Sequence, residues 1–139
     1  MGSKILLWVL RIVPAAIMLQ TLFFKFSASE ESVYIFSTLG MEPWGRIGSG
    51  IAELIAGILL IVPRTTLAGA LLGAGVMSGA IASHILVLGV IVMDDGGLLF
   101  AYALITFTCC ALLVLILRKS ITETRLYRRI FIPKNPATL

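Results

Sequence analysis

"SGIAELIAGILLIVP", residues 49–63, is a run of apolar and small residues interrupted by a single carboxylate, Glu53. It reads as a lipid-buried helix, and that reading decides the fold class. Taken from about 45 to 62, the segment approaches the roughly 20 residues needed to cross a hydrocarbon core about 30 Å thick. Three further runs of this kind occupy about 4–26, 66–93 and 98–117. The chain of 139 residues is 59% hydrophobic and 13% charged, with a mean hydropathy of +1.06. Ordinary soluble domains are roughly half apolar, so lipid is the expected solvent for the surplus. Backbone groups in lipid must bond within their own segment, which makes the four runs helices. A transmembrane strand would alternate in polarity, and these runs do not. The expectation is an all-α, integral membrane four-helix bundle over 1–117, followed by a basic tail over 118–139.

The breaks between the runs are chemically marked. Pro63-Arg64-Thr65 forms one tight turn and Asp94-Asp95-Gly96-Gly97 another. Residues 27–44 form the one substantial loop. Ser27 and Glu30 have capping-box spacing, Val33, Phe36 and Leu39 share a helical face, and Gly40 is suited to end a helix. A short interfacial helix is expected over about 28–39, with Trp44 as an interface anchor. Ser27-Ala28-Ser29 resembles a signal-peptide cleavage site, but Arg11 interrupts the apolar region and the run is long for a signal sequence. The first segment is therefore expected to stay as a membrane helix.

Charge sets the orientation. The tail carries Arg118, Lys119, Arg125, Arg128, Arg129 and Lys134, the second loop Arg64, and the N-terminus Lys4. The other loops carry Glu30, Glu31, Glu42, Asp94 and Asp95. The positive-inside rule then places both termini in the cytoplasm, with the chain in the cell (cytoplasmic) membrane. In the tail, Ser120 and Glu123 have capping-box spacing, and Leu126, Tyr127, Ile130 and Phe131 can share a face beside the arginines. Such a basic amphipathic helix suits anionic headgroups or a docking partner.

Several functions are disfavoured. The net charge of +4 comes from the tail, without the aromatic-plus-basic groove of a nucleic-acid binder. Cys109 and Cys110 are adjacent and point apart on a helix, which argues against a dithiol oxidoreductase. No metal-ligand spacing is evident, and the single histidine, His84, disfavours bis-histidine haem ligation. Small residues recur at helical spacing: Gly69 with Gly73, Gly75 with Gly79, and Gly48 with Ala52 and Ala56. They permit close helix approach, either within the chain or along a homo-oligomer seam.

The polar residues within the runs are Arg11, Gln20, Lys25, Glu53, His84 and Tyr102. Ionisable groups in a membrane are costly, and are paired or functional. Counting at about 1.5 Å per residue puts Arg11 roughly 10 Å, Glu53 roughly 16 Å and His84 roughly 28 Å above the inner ends of their helices. The count pairs Arg11 with Glu53 near the midplane, as a clasp between the first two membrane helices. Gln20, Lys25, His84 and Tyr102 fall in a second, wetter layer near the outer face. That layer is either a set of interfacial polar groups or a ligand pocket opening outward.

The order "R…Q…FFKF", "GRIGSGIAELIAGILLIVPRT" and "GALLGAGVMSGAIASHI" resembles the DoxX family of small four-helix membrane proteins across residues 8–117. Its most specific element is Gly-x-x-x-Glu-Leu-x-x-Gly, met here by Glu53, Leu54 and Gly57, with Ser49 in place of the first glycine. Lys25 matches the basic residue ending the first helix, while Leu22, Phe23 and Phe24 stand where a glycine is usual. The resemblance implies a redox-associated membrane subunit, a possible quinone in a pocket near His84 and Tyr102, and a redox protein partner. It implies no catalysis by this chain alone. A non-catalytic scaffold or assembly factor is the alternative, and a small oligomeric transporter or channel comes third.

Overall fold

The computed structural model describes the backbone of residues 2–131 and the side chains of residues 2–119. Among them the chain is all helical. Helix α1 spans Gly2–Phe26, α2 Glu30–Thr38, α3 Trp44–Ile61, α4 Thr66–Ser83 and α5 Leu98–Phe131, and a π-helical turn, His84–Leu88, continues α4. The four long helices are each long and apolar enough to cross a membrane.

The helices form a closed ring in which α1 packs on α3 and α5, and α4 on α3 and α5. Neighbours run antiparallel. Arg11 near the start of α1 meets Leu60 near the end of α3, while Lys25 at the end of α1 meets Arg46 at the start of α3. Their outer surfaces expose Ile12, Ile55, Ile58, Leu71 and Leu112. In water that much contiguous apolar surface would drive association, whereas in hydrocarbon it is solvated.

The ring has two unlike halves. Near the Pro63–Thr65 turn it is tightly packed around Leu10, Met18, Leu60, Ala70, Cys110 and Leu113. Glycines make this possible. A Cβ on Gly69 would lie 2.6 Å from the Leu60 backbone nitrogen, and one on Gly73 would lie 2.9 Å from Cys110 Sγ. The other half, beneath α2 and the 89–97 loop, holds a partly open cavity. There a Cβ on Gly48, Gly75 or Gly79 would meet nothing within 4 Å. The repeated small residues thus do two jobs. Gly69 and Gly73 bring helices into contact, whereas Gly75 and Gly79 leave space.

Several expected boundaries shift. The third apolar run leaves α-helical geometry at His84 and ends at Gly89, whose φ of +81° an L side chain rarely adopts. The cap of α2 is Ser29, whose hydroxyl accepts from the Ser32 N–H at 3.3 Å, and not Ser27. Gly40, at φ +69°, follows the end of α2 as expected. The cavity-facing residues of α2 are Glu31, Ser32, Ile35 and Phe36, joined by Leu39 just past its end and without Val33. No new helix starts at Ser120, because α5 continues through it to Phe131. The amphipathic face expected of Leu126, Tyr127, Ile130 and Phe131 lies outside the described side chains.

Candidate functional site

The expected Arg11–Glu53 clasp does not form. Arg11 Nε donates to the Leu60 carbonyl at 2.8 Å and Nη2 to the Ile61 carbonyl. These are orphan acceptors in the last turn of α3, where the helix dipole also favours a cation. Trp8 covers the guanidinium 4.0 Å from its ring centre. The depth count misled because it placed the helix ends on a common plane. In fact α1 runs about 13 Å past the end of α3, the rise of the nine residues from Gly2 to Arg11.

Glu53 instead pairs with Lys25, Nζ to Oε1 at 2.5 Å. Its second oxygen, Oε2, lies 2.9 Å from the Thr21 hydroxyl, which is also 2.8 Å from the Met18 carbonyl. The single hydroxyl proton favours the charged acceptor. Both carboxylate oxygens are therefore occupied, and Glu53 is only 3% exposed. The arrangement holds a charge in place and links α1 to α3.

Arg46 completes this side of the site. It grips Glu42 through Nε and Nη2, at 2.8 and 2.6 Å to Oε1, and donates through Nη1 to the Lys25 carbonyl. The sequence signal for it was the i,i+4 spacing of Glu42 and Arg46, which the polar inventory of the runs passed over. Thr21 had no such signal.

The cavity has a volume of about 770 Å³, within the range of roughly 300–1,000 Å³ common for small-molecule sites. Gln20, Lys25, Glu53, His84 and Tyr102 all line it, so the structure unites every expected site residue except Arg11. Its walls are otherwise largely apolar, with Ile17, Met18, Phe36, Met77 and Leu99 among them.

On the α4–α5 side, His84 is buried at 5% exposure. Its Nδ1 lies 2.8 Å from the Gly89 carbonyl, and its own backbone carbonyl accepts from the Gly89 N–H at 2.8 Å. The π-helical turn brings these two residues together. Such turns recur at functional sites. Gln20 and Tyr102 make no side-chain hydrogen bond to the described residues.

Asp95 and Glu31, both in the lining, sit outside the spans. Burial alone would raise the Asp95 carboxyl. Three backbone N–H groups, of Val92, Leu99 and Gly97, and the nearby His84 outweigh it, so the group titrates below the ordinary range. Asp95 thereby caps the start of α5. Burial, and then the charge of Asp95, push Glu31 above its ordinary value.

A family model described as the DoxX-like family matches residues 9–105. The chain belongs to the DoxX-like family. The matched segment of this DoxX-like protein includes Arg11 and every cavity residue named above, and it stops within α5. No curated protein and no solved structure matches the chain. Together with the four apolar helices, the family marks a multi-pass membrane protein of DoxX type.

Proposed function

We propose that this DoxX-like protein is a redox-associated subunit of the cytoplasmic membrane whose cavity takes the head group of a lipid-soluble quinone. The observation that carries the reading is that polar groups without partners among the described residues, the side chains of Gln20 and Tyr102 and the Nε2 of His84, border one cavity between membrane helices. Polar groups left unsatisfied in lipid are costly, so a polar occupant is favoured. The fit is chemical as well as spatial. A quinone head has an apolar ring and two polar edges, and the cavity joins apolar walls to a few convergent polar atoms.

In this reading Lys25 and Glu53 brace the wall, and Gln20, Tyr102 and His84 orient the head group. Bound quinone would supply reversible two-electron chemistry, and a redox protein partner would exchange electrons with it. Both termini face the cytoplasm, as the basic residues of the N-terminus, the α3–α4 turn and the tail favour. The region 1–117 acts as the membrane domain, and 118–139 is a cytoplasmic basic tail. Homo-oligomers are compatible with small residues on the outer face of α4, such as exposed Ser78 and Ala82.

The test is purification in mild detergent, extraction of bound lipids, and titration of the reconstituted protein with decyl-benzoquinone and, under argon, with decyl-hydroquinone. Co-purified quinone and saturable binding of at least one form are expected. A folded protein that binds neither form would remove the reading. A scaffold role has its own support: α5 runs on past Lys119 to Phe131 in a stretch whose sequence carries Arg125, Arg128 and Arg129. Retrieval of a protein partner through the tail, without quinone binding, would favour it.

A further inference from the structure

We infer that the cavity selects a head group that donates a hydroxyl proton to His84 Nε2, which in the quinone class means the hydroquinone over the quinone. The inference rests on the quinone reading above and specifies which form of the ligand the site holds.

The argument begins with Gly89. Its carbonyl lies 2.8 Å from His84 Nδ1. A carbonyl oxygen has only lone pairs, so Nδ1 must carry the hydrogen of that bond. A neutral imidazole carries one ring hydrogen, which leaves Nε2 as a bare acceptor. The geometry is held from the backbone as well. The Gly89 N–H closes the π-helical turn onto the His84 carbonyl, and Gly89 takes a φ of +81° open to glycine. Phe100 flanks the imidazole with ring centres 5.5 Å apart.

Nε2 itself makes no hydrogen bond among the described residues. The one sealed side-chain polar atom lacking a partner there is Thr106 Oγ1. Nε2 therefore keeps open surface, and His84 lines the cavity. The carboxylates of the lining do not satisfy it. Glu53 is held by Lys25 and Thr21, Asp95 accepts from Val92, Gly97 and Leu99, and Glu31 makes no bond to the ring. A quinone carbonyl would set one acceptor against another. A hydroquinone hydroxyl fits the bare nitrogen, and Gln20 and Tyr102 remain for its other polar edge.

His84 is the only histidine in the chain, so selective nitrogen-15 labelling of histidine gives a single-site probe without any mutation. The full chain in nanodiscs is titrated with decyl-hydroquinone under argon, its dimethyl ether, and decyl-benzoquinone. The expected result is a protonated Nδ1 and an unprotonated Nε2 before ligand. Hydroquinone should shift the Nε2 resonance saturably and bind roughly tenfold tighter than its ether, the size of one good hydrogen bond. Hydrogen on Nε2, alone or together with Nδ1, or equal binding of all three probes with Nε2 unmoved, overturns the inference and leaves the quinone reading standing. No saturable binding by any probe removes both.

Discussion

Arg11 and Arg46 cap each other's helices. Arg11 of α1 bonds the last carbonyls of α3, at Leu60 and Ile61, and Arg46 in the first turn of α3 bonds the Lys25 carbonyl at the end of α1. In water such carbonyls are hydrated. Near a hydrocarbon core they need a protein donor. The exchange joins two antiparallel helices at both ends. Arg11→Gln should lower stability by about 2 kcal/mol, since it removes charge-assisted bonds to buried acceptors. Arg11→Lys should recover only part of this, because one ammonium lacks the planar spread of nitrogens. Thermal melts in detergent read both.

The Lys25–Glu53 pair predicts a specific coupling. Glu53→Gln should destabilise by about 3 kcal/mol, at the lower end for a buried pair broken on one side because Lys25 retains some exposure. In a double-mutant cycle, Lys25→Met with Glu53→Gln should show clear coupling. Arg11→Gln with Glu53→Gln should add to within about 0.5 kcal/mol. Strong coupling in the second cycle would restore the clasp that the structure replaces.

The glycines divide into two groups that substitution should separate. Gly69→Ala places a methyl 2.6 Å from backbone and should cost about 1–3 kcal/mol by overpacking. Gly79→Ala meets open space and, at a helical position, should be neutral or slightly stabilising. Gly79→Phe should keep the melting temperature near wild type while reducing ligand binding, because its ring occupies cavity volume. Equal loss of stability at Gly69 and Gly79 would contradict the two-halves description.

Asp95 and Glu31 give opposite pH signatures. The folded Asp95 carboxyl titrates below its ordinary value, so its stabilisation is present above that value and lost as pH falls through the folded one. Glu31 titrates above its ordinary value, so folding loses stability as pH rises through the window between its ordinary and folded values. Asp95→Asn should lower stability at neutral pH and flatten the acid limb of the melting profile. Glu31→Gln should raise stability at neutral pH. Melting temperature followed from pH 3 to 8, a window of roughly the carboxylate range and above, checks both signs.

The sequence by itself determined the solvent, the helical class and the main breaks between the apolar runs. Apolar runs of spanning length admit helices alone, because lipid offers the backbone no other partner. The Pro63–Thr65 and Asp94–Gly97 breaks were likewise legible, since proline, glycine and paired aspartates fall where helices must stop. Five of the cavity's polar residues, Gln20, Lys25, Glu53, His84 and Tyr102, were also named in advance as site candidates, because a polar group in an apolar run stands out by cost alone, whereas Thr21, Glu31 and Asp95 were not.

Only the tertiary structure decided their partners. Pairing depends on the vertical offset of neighbouring helices, and no periodicity within one helix encodes how far it overhangs the next. That offset took Arg11 away from Glu53 and supplied Lys25. The π-helical turn at His84 was equally hidden, because one extra residue in a turn leaves the composition unchanged while bringing the ring onto Gly89. The same holds for the glycines. Gly69 and Gly79 are alike in sequence, and only the packing around each makes one a contact and the other the wall of a cavity.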